Sequence, residues 1–480
     1  MQDYWLIILI YIIALLIVCL HIILVTNSST KALAYLLFCV FVPVFGILFY
    51  LAFGINFWRK KKYARKLGKD GNILKHLTND VDYYSKAFVK RKDFAVSQNS
   101  ELMSMLLKDL NSPLTAGNQL KILLNGEQKF PELLQCMENA KHHIHIEYYI
   151  YEQDTIGTQI IELLIRKAKE GIEVRFIYDD FGSPGLKKNL VKRMKKAGIE
   201  AYPFHKVHFY LLANRINFRN HRKIVVIDGQ TGFTGGINVS DKYINNGKNK
   251  LFWRDTHLRI DGPGVYYLQY LFIADWNFCG AKELKPGPQY FRKELPAGNK
   301  CVQIVASGPD SVNPSVRFAI LEAIYLAKKE ILITTPYFIP GDSMMDALRI
   351  AATSGLSVKL LVPGICDSKF VNAAARDHYK FLLEAGVDIY IYRKGFVHAK
   401  TIVTDSKLSM IGTANMDYRS FELNFEVNAI IYDSEFALQL REIFYADLED
   451  SEKIIPEVWV KRKWYYKLAE RVARLFSPSL

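Results

Sequence analysis

One pattern recurs in a single register at two places in this chain: a histidine, a lysine two residues on, an aspartate five beyond that, then a glycine and an asparagine. The first set is His221, Lys223, Asp228, Gly235 and Asn238; the second is His398, Lys400, Asp405, Gly412 and Asn415. Every member of the second set lies 177 positions after its counterpart. Two imidazoles, two ammonium groups and two amides around one cavity make a cationic, donor-rich cup for a phosphoryl group. One neutral imidazole can attack phosphorus and displace an alcohol, while the other, protonated, gives that alcohol its proton. The second imidazole then deprotonates an incoming hydroxyl, which attacks the phosphohistidine. Lys223, Lys400, Asn238 and Asn415 would hold the phosphate oxygens. The chemistry calls for no metal and no cofactor, and the lysines would repel a cation.

Each histidine needs a carboxylate on its other ring nitrogen to fix the tautomer and stabilise the imidazolium. Glu426 is the expected partner of His398, and Asp255 that of His221. Asp228 and Asp405 belong to the catalytic motif but sit at a strand end, where a structural role within each half is expected. His142, His143, His145, His205 and His208 carry no such pattern and read as ordinary histidines.

The elements that must position these groups also repeat. A helix end at Ala140 and Lys141 precedes an alternating strand at 144–148, and Ala327 and Lys328 precede one at 331–334. Helical stretches at 158–169 and 344–352 follow. A glycine (Gly171, Gly355) then leads into strands at 174–177 and 358–361. A second glycine (Gly198, Gly386) leads into strands at 199–201 and 387–390. The motif strands, 223–227 and 400–404, come last, and residues two apart on a strand share a face. Ordered strand–helix alternation predicts two α/β halves with mixed, largely parallel sheets sharing one active site.

The N-terminal residues 5–25 and 32–53 are long enough, at about 20 residues each, to cross a bilayer as helices, and neither contains a formal charge. The short polar link 26–31, with Lys31, makes them antiparallel. The basic run at 59–62, with Arg65 and Lys66, predicts a cytoplasmic catalytic region. Trp5, Tyr50 and Trp58 suit the interfaces, and Pro43 and Gly46 suit a kink. The start Met1, Gln2 and Asp3 has no basic run before the first apolar stretch, and a second span follows, which argues against a cleaved signal peptide. The resulting organisation is a transmembrane hairpin (1–58), a connector (59–114), two α/β halves (115–290 and 291–450) and a basic amphipathic C-terminal helix (451–480). In that helix Val460, Trp464, Leu468 and Val472 form a stripe among basic residues. The stripe suits either an anionic membrane or packing on the domain. The formal charge of +15, from 63 basic and 48 acidic residues, favours anionic partners. The six cysteines show no paired spacing, so neither a disulfide framework nor a zinc site is expected.

The paired motifs resemble the phospholipase D superfamily over most of residues 120–445. The context around Asn220–Asp228, the run 232–238, the runs 335–340 and 412–421, and Asn424, Phe425 and Glu426 resembles bacterial cardiolipin synthases, as does the N-terminal hairpin. Thr413 departs from the serine common in the superfamily, and the segment after Asn238 departs slightly from the family pattern. The resemblance implies transphosphatidylation: two phosphatidylglycerol molecules give cardiolipin and glycerol through a phosphatidyl-histidine. It also implies that His221 attacks and His398 is the acid/base, a choice that the spacing leaves open. Phosphatidylglycerol and anionic membrane lipids are then the partners. A hydrolase releasing phosphatidic acid is the alternative. A nuclease is disfavoured by the apolar N-terminus and the lack of a nucleic-acid module.

Overall fold

The computed structural model describes residues 2–26, 29–42, 44–53, 97–110, 112–204, 218–247, 251–291 and 297–477. Lys31 falls in a helix, but its side chain, like Pro43, Trp58, the basic run 59–66, His205 and His208, lies outside the described part.

The two α/β halves are present and nearly superimposable in topology. In the first half the strands run, in spatial order, Thr115–Leu124, Thr256–Asp261, Thr231–Gly235, Ile224–Ile227, His143–Tyr148, Glu173–Tyr178 and Glu200–Pro203. In the second they run Lys300–Ser307, Glu426–Tyr432, Leu408–Gly412, Thr401–Thr404, Glu330–Thr334, Ser357–Pro363 and Asp388–Tyr392, with Ser451–Lys453 added at the edge. Thr115–Leu124 and Lys300–Ser307 pair antiparallel, so the halves share one 15-stranded sheet. Helices cover its faces, among them Thr155–Lys169, Val265–Phe278, Asp342–Thr353, Lys369–Glu384 and Ser434–Glu449.

The expected largely parallel pairing is not found. Of the fourteen pairings in this sheet four are parallel, two in each half, and ten are antiparallel. Helical crossovers join only the three strands that precede each motif. Directly after each motif strand a tight turn, residues 228–230 or 405–407, gives an antiparallel neighbour, and the longer connections 236–255 and 413–425 return a further antiparallel strand. Residues 451–453, expected in the C-terminal helix, are instead an edge strand on Asp388–Tyr392.

Each motif strand is buried on both faces. Val225 and Ile227 face the first half's own core, while Ile224 and Val226 face a core at the seam. That seam core also contains Leu258, Ile260, Val302, Ile304, Val403, Ile411 and Val427, drawn from both halves. Each such side chain contributes about 1.5–3 kcal/mol by burial, so the seam is held as firmly as a domain interior.

The N-terminus departs from two simple spans. Gln2–Val25 is one helix, and among the described residues it alone is long and apolar enough to cross a membrane. The expected second crossing is broken into Ser29–Phe41 and Phe45–Phe53, with Val44 at φ 63° between them. At 1.5 Å per residue, 13 residues rise only about 20 Å. A Cβ at Gly46 would lie 2.4 Å from the Phe38 carbonyl, so glycine is what lets the two short helices close on each other. Of the connector, Ser100–Leu110 is a helix whose Leu102 and Leu106 join the second half's core. All six cysteines are free.

Candidate active site

The motif histidines and lysines precede their strands rather than lying on them: the strands begin at Ile224 and Thr401. Each histidine segment is instead stitched to the opposite half. The His221 amide donates to the Phe425 carbonyl at 3.0 Å, and the Phe425 amide to Arg219 at 2.8 Å. The His398 amide donates to the Arg254 carbonyl at 2.7 Å, beside a short parallel pairing of Gly395–Val397 with Phe252–Arg254.

The next residue in each partner segment supplies the carboxylate. His221 Nδ1 lies 2.9 Å from both Oε1 and Oε2 of Glu426. His398 Nδ1 lies 2.7 Å from Asp255 Oδ2. The two carboxylates are the expected ones, but their assignment is exchanged. Glu426 serves His221 and Asp255 serves His398, each across the seam. Sequence proximity favoured partners within a half, whereas the parallel contacts at the seam bring each histidine to the other half's carboxylate. In this pairing the carboxylate accepts a hydrogen bond from Nδ1–H and leaves Nε2 unprotonated.

The carboxylates are buried completely. Burial acts to raise Glu426 and Asp255, but the facing histidines and motif lysines outweigh it, so both stay ionised below the usual carboxylate range. Burial lowers both histidines, His398 to about 4, with Lys400 adding to the effect. Burial also lowers Lys223 to about 7 and Lys400 to about 8. Each lysine donates to the carbonyl of its own histidine, Lys223 to His221 at 2.7 Å and Lys400 to His398 at 2.5 Å. An arriving phosphodiester anion adds negative charge to this set and so favours uptake of a proton.

Asn238 and Asn415 are buried beside this set. Asn238 accepts from the Ile150 amide at 3.1 Å and donates to Tyr243 at 3.0 Å. Asn415 donates to Asp417 at 3.0 Å. Each therefore keeps one amide hydrogen beyond these bonds. Asp228 and Asp405 do different work. Asp228 accepts from the amides of Lys141, His142 and His143 at 2.7–2.9 Å. Asp405 accepts from Lys328, Lys329 and Glu330 at 2.7–2.9 Å. Both have φ 55°, and both lock the strand turn to the start of a neighbouring strand in their own half. They lie at the far end of the motif strands, on the order of 15 Å from the lysines by strand rise.

Several contributors had weak sequence signals or none. The Thr413 hydroxyl donates to Glu426 Oε2 at 2.5 Å and accepts from the Val427 amide at 2.9 Å. Serine at this position would make the same bonds, so the departure at Thr413 keeps the function. Tyr149 sets its ring edge against His221 at 4.9 Å, and Trp253 and Phe396 flank His398 at 5.3 and 5.5 Å. Lys129, wholly buried, donates to the carbonyls of Ile237 and Asn238 and so anchors the asparagine loop. No local pattern marks it. His143 and His145 are core residues: burial lowers His143 to about 4, and His145 stacks on Phe272 at 4.4 Å. Among the described residues no three His, Cys, Asp or Glu side chains group as metal ligands.

The family described as cardiolipin synthase, PLD-like domain, matches residues 133–258 and 320–448. Each match contains one motif and one of the two carboxylates. The chain belongs to the phospholipase D-like cardiolipin synthase family. A second family, described as phospholipase D-nuclease N-terminal, matches residues 5–54. Cardiolipin synthase 2 of Bacillus cereus is 41% identical over 95% of this chain and 88% of its own length. The major cardiolipin synthase of Bacillus subtilis is 41% identical over 95% of this chain and 94% of its own. The family fold is shared with a phosphatidylserine synthase from Haemophilus influenzae, at a TM-score of 0.59 and 14% identity, covering 80% of this chain and all of that one.

Proposed function

We propose that this protein is a membrane-bound phosphatidyltransferase that makes cardiolipin and glycerol from two molecules of phosphatidylglycerol. The observation that carries the reading is the crossed site: two imidazoles, each held by a carboxylate of the other half, with a lysine beside each. That is equipment for two successive displacements at one phosphorus. Cardiolipin synthases that align with nearly the whole chain support the choice of lipids.

In the first step His221 Nε2 attacks the phosphorus of one phosphatidylglycerol. The P–O bond to glycerol breaks, and His398, protonated, gives the departing oxygen its proton. Charge balance supplies that proton: the phosphodiester's negative charge counteracts the burial and the Lys400 field that keep His398 neutral. In the second step His398 removes the proton from the glycerol hydroxyl of a second phosphatidylglycerol. The alkoxide attacks phosphorus, the P–N bond breaks, and His221 is regenerated. Lys223, Lys400 and the remaining amide hydrogens of Asn238 and Asn415 bind the phosphoryl oxygens as charge develops. Asp228 and Asp405 hold the motif strands rather than touch the substrate.

The helix Gln2–Val25 crosses the membrane, and the broken pair Ser29–Phe41 and Phe45–Phe53 returns the chain. The basic run 59–62 then keeps the catalytic region cytoplasmic. This arrangement places the site beside its lipid pool.

The test is to incubate purified protein with phosphatidylglycerol vesicles and follow lipids and glycerol by mass spectrometry. Cardiolipin and glycerol in equal amounts are expected. Phosphatidic acid and glycerol without cardiolipin would mean that water is the acceptor, and the protein a hydrolase.

A further inference from the structure

The C-terminal helix Trp464–Leu475 has an apolar stripe that no other described residue covers. Trp464, Leu468, Val472 and Leu475 are spaced four, four and three apart, which sets them on one face. That face is open: Trp464 is 72% and Leu475 73% exposed, and Leu468 and Val472 are about half exposed. Val458 and Val460 on the preceding turn Pro456–Val460 extend it. The helix attaches to the second half by its opposite side. Glu470 and Ala473 are buried there, and Glu470 bonds Arg462 at 2.6 Å and Arg376 at 3.1 Å. Arg474 bonds Asp377 at 2.7 Å on the helix Lys369–Glu384. An amphipathic helix that only completed a core would turn its stripe inward. This one is fastened by a buried ionic knot and presents its stripe outward.

The charge around the stripe names what covers it. From residue 456 onward the chain has six basic residues (Lys461, Arg462, Lys463, Lys467, Arg471 and Arg474) against two acidic ones, Glu457 and Glu470. Glu470 is already engaged. Lys461, Lys463 and Arg471 are exposed, and Arg471 borders the stripe. Trp464, Tyr465 and Tyr466 begin the helix as an exposed aromatic cluster, the residue class that settles at the headgroup level. We propose that this face is a second membrane contact, an anionic-bilayer sensor separate from the N-terminal helices. Its stripe enters the interface while Lys461, Lys463, Lys467 and Arg471 meet negative headgroups. The inference rests on the chain working at a bilayer, and it makes turnover depend on the surface charge of the membrane as well as on substrate.

The full-length protein in nanodiscs of chain-brominated phosphatidylcholine tests this, because bromine quenches an indole that enters the acyl region. The signal of Trp464 is the difference between wild type and Trp464→Phe. Cholesteryl sulfate, anionic but free of phosphorus, supplies charge without supplying substrate. Quenching of Trp464 is expected to rise severalfold when the sulfate is present, to fall at high salt, and to vanish in the double variant Leu468→Glu, Val472→Glu. Equal Trp464 emission with and without the sulfate would overturn the proposal, as would quenching that survives in the double variant. Self-association that the double variant abolishes, without quenching, would assign the stripe to a second copy instead. The readout is independent of turnover, so absence of cardiolipin formation would count against the proposed reaction and not against this surface.

Discussion

His221 and Glu426, 205 residues apart, meet across the seam with Nδ1 2.9 Å from both carboxylate oxygens. Asp255 and His398 repeat the relation in the opposite direction. Each half therefore carries one motif histidine and the carboxylate that orients the other half's. The site is a property of the seam, and neither half holds an oriented histidine alone.

Replacing either carboxylate by its amide removes the tautomer control while keeping the shape. Glu426→Gln and Asp255→Asn should each lower kcat by about 10³–10⁴-fold, as expected for the orienting member of such a unit. In the His398→Ala background, trapping of a phosphohistidine should depend on Glu426 and not on Asp255. The reverse dependence would restore the within-half pairing.

The Thr413 hydroxyl serves two buried groups, Glu426 and the Val427 amide. Thr413→Val leaves both short of a partner and should cost about 1–3 kcal/mol of stability, with a fall in kcat. Thr413→Ser should behave as wild type. Denaturant unfolding and steady-state rates on the three proteins check this, and a damaging serine would contradict the assignment.

Asp228 and Asp405 each accept three backbone amides. Alanine at either position should destabilise by roughly 2–4 kcal/mol, more than one lost buried hydrogen bond. Asparagine, which also tolerates φ near 55°, should cost less. The rate per folded molecule should change little. A large drop in kcat at unchanged stability would move these aspartates into the chemistry.

Lys223 and Lys400 titrate from about 7 and about 8 in the folded protein against 10.5 for the free side chain. The activity consequence is an alkaline fall in kcat/KM starting near pH 7–8, as the phosphate-binding charge is lost. Stability runs the other way. A lowered folded pKa means the unfolded chain binds more protons between that value and 10.5, so stability rises with pH across this window. The slope is about 1.4 kcal/mol per pH unit for each group. His398, lowered to about 4, acts in the same sense: its contribution is complete above 6.5 and is lost as pH falls toward 4. Melting curves from pH 6 to 10 on wild type and on Lys223→Met and Lys400→Met check the sign. The variants should flatten the dependence.

The chemistry was legible in the chain because it is local. His221, Lys223 and Asp228, and their copies 177 residues on, are set by short spacings that a repeat makes visible. The succession of strands and helices leading to each motif was legible too, since alternation and glycine turns report on neighbours a few residues away. Direction of pairing was not. Whether a strand returns beside its predecessor by a tight turn or by a crossover depends on which neighbours close the sheet, and most antiparallel pairs here join strands far apart in the chain. The second N-terminal apolar stretch showed a kink site at Pro43 and Gly46 but not a full break, because a single backbone turn at Val44 shortens a helix without altering hydropathy. The stripe at Val460, Trp464, Leu468 and Val472 was visible as a period; which way it faced depended on the ionic knot around Glu470. What the sequence by itself determined is the pair of matched motifs and the two α/β units that hold them. Only the tertiary structure decided which carboxylate serves which histidine. That pairing comes from hydrogen bonds between segments 205 and 143 residues apart, and no spacing along one strand of chain encodes the geometry of a seam.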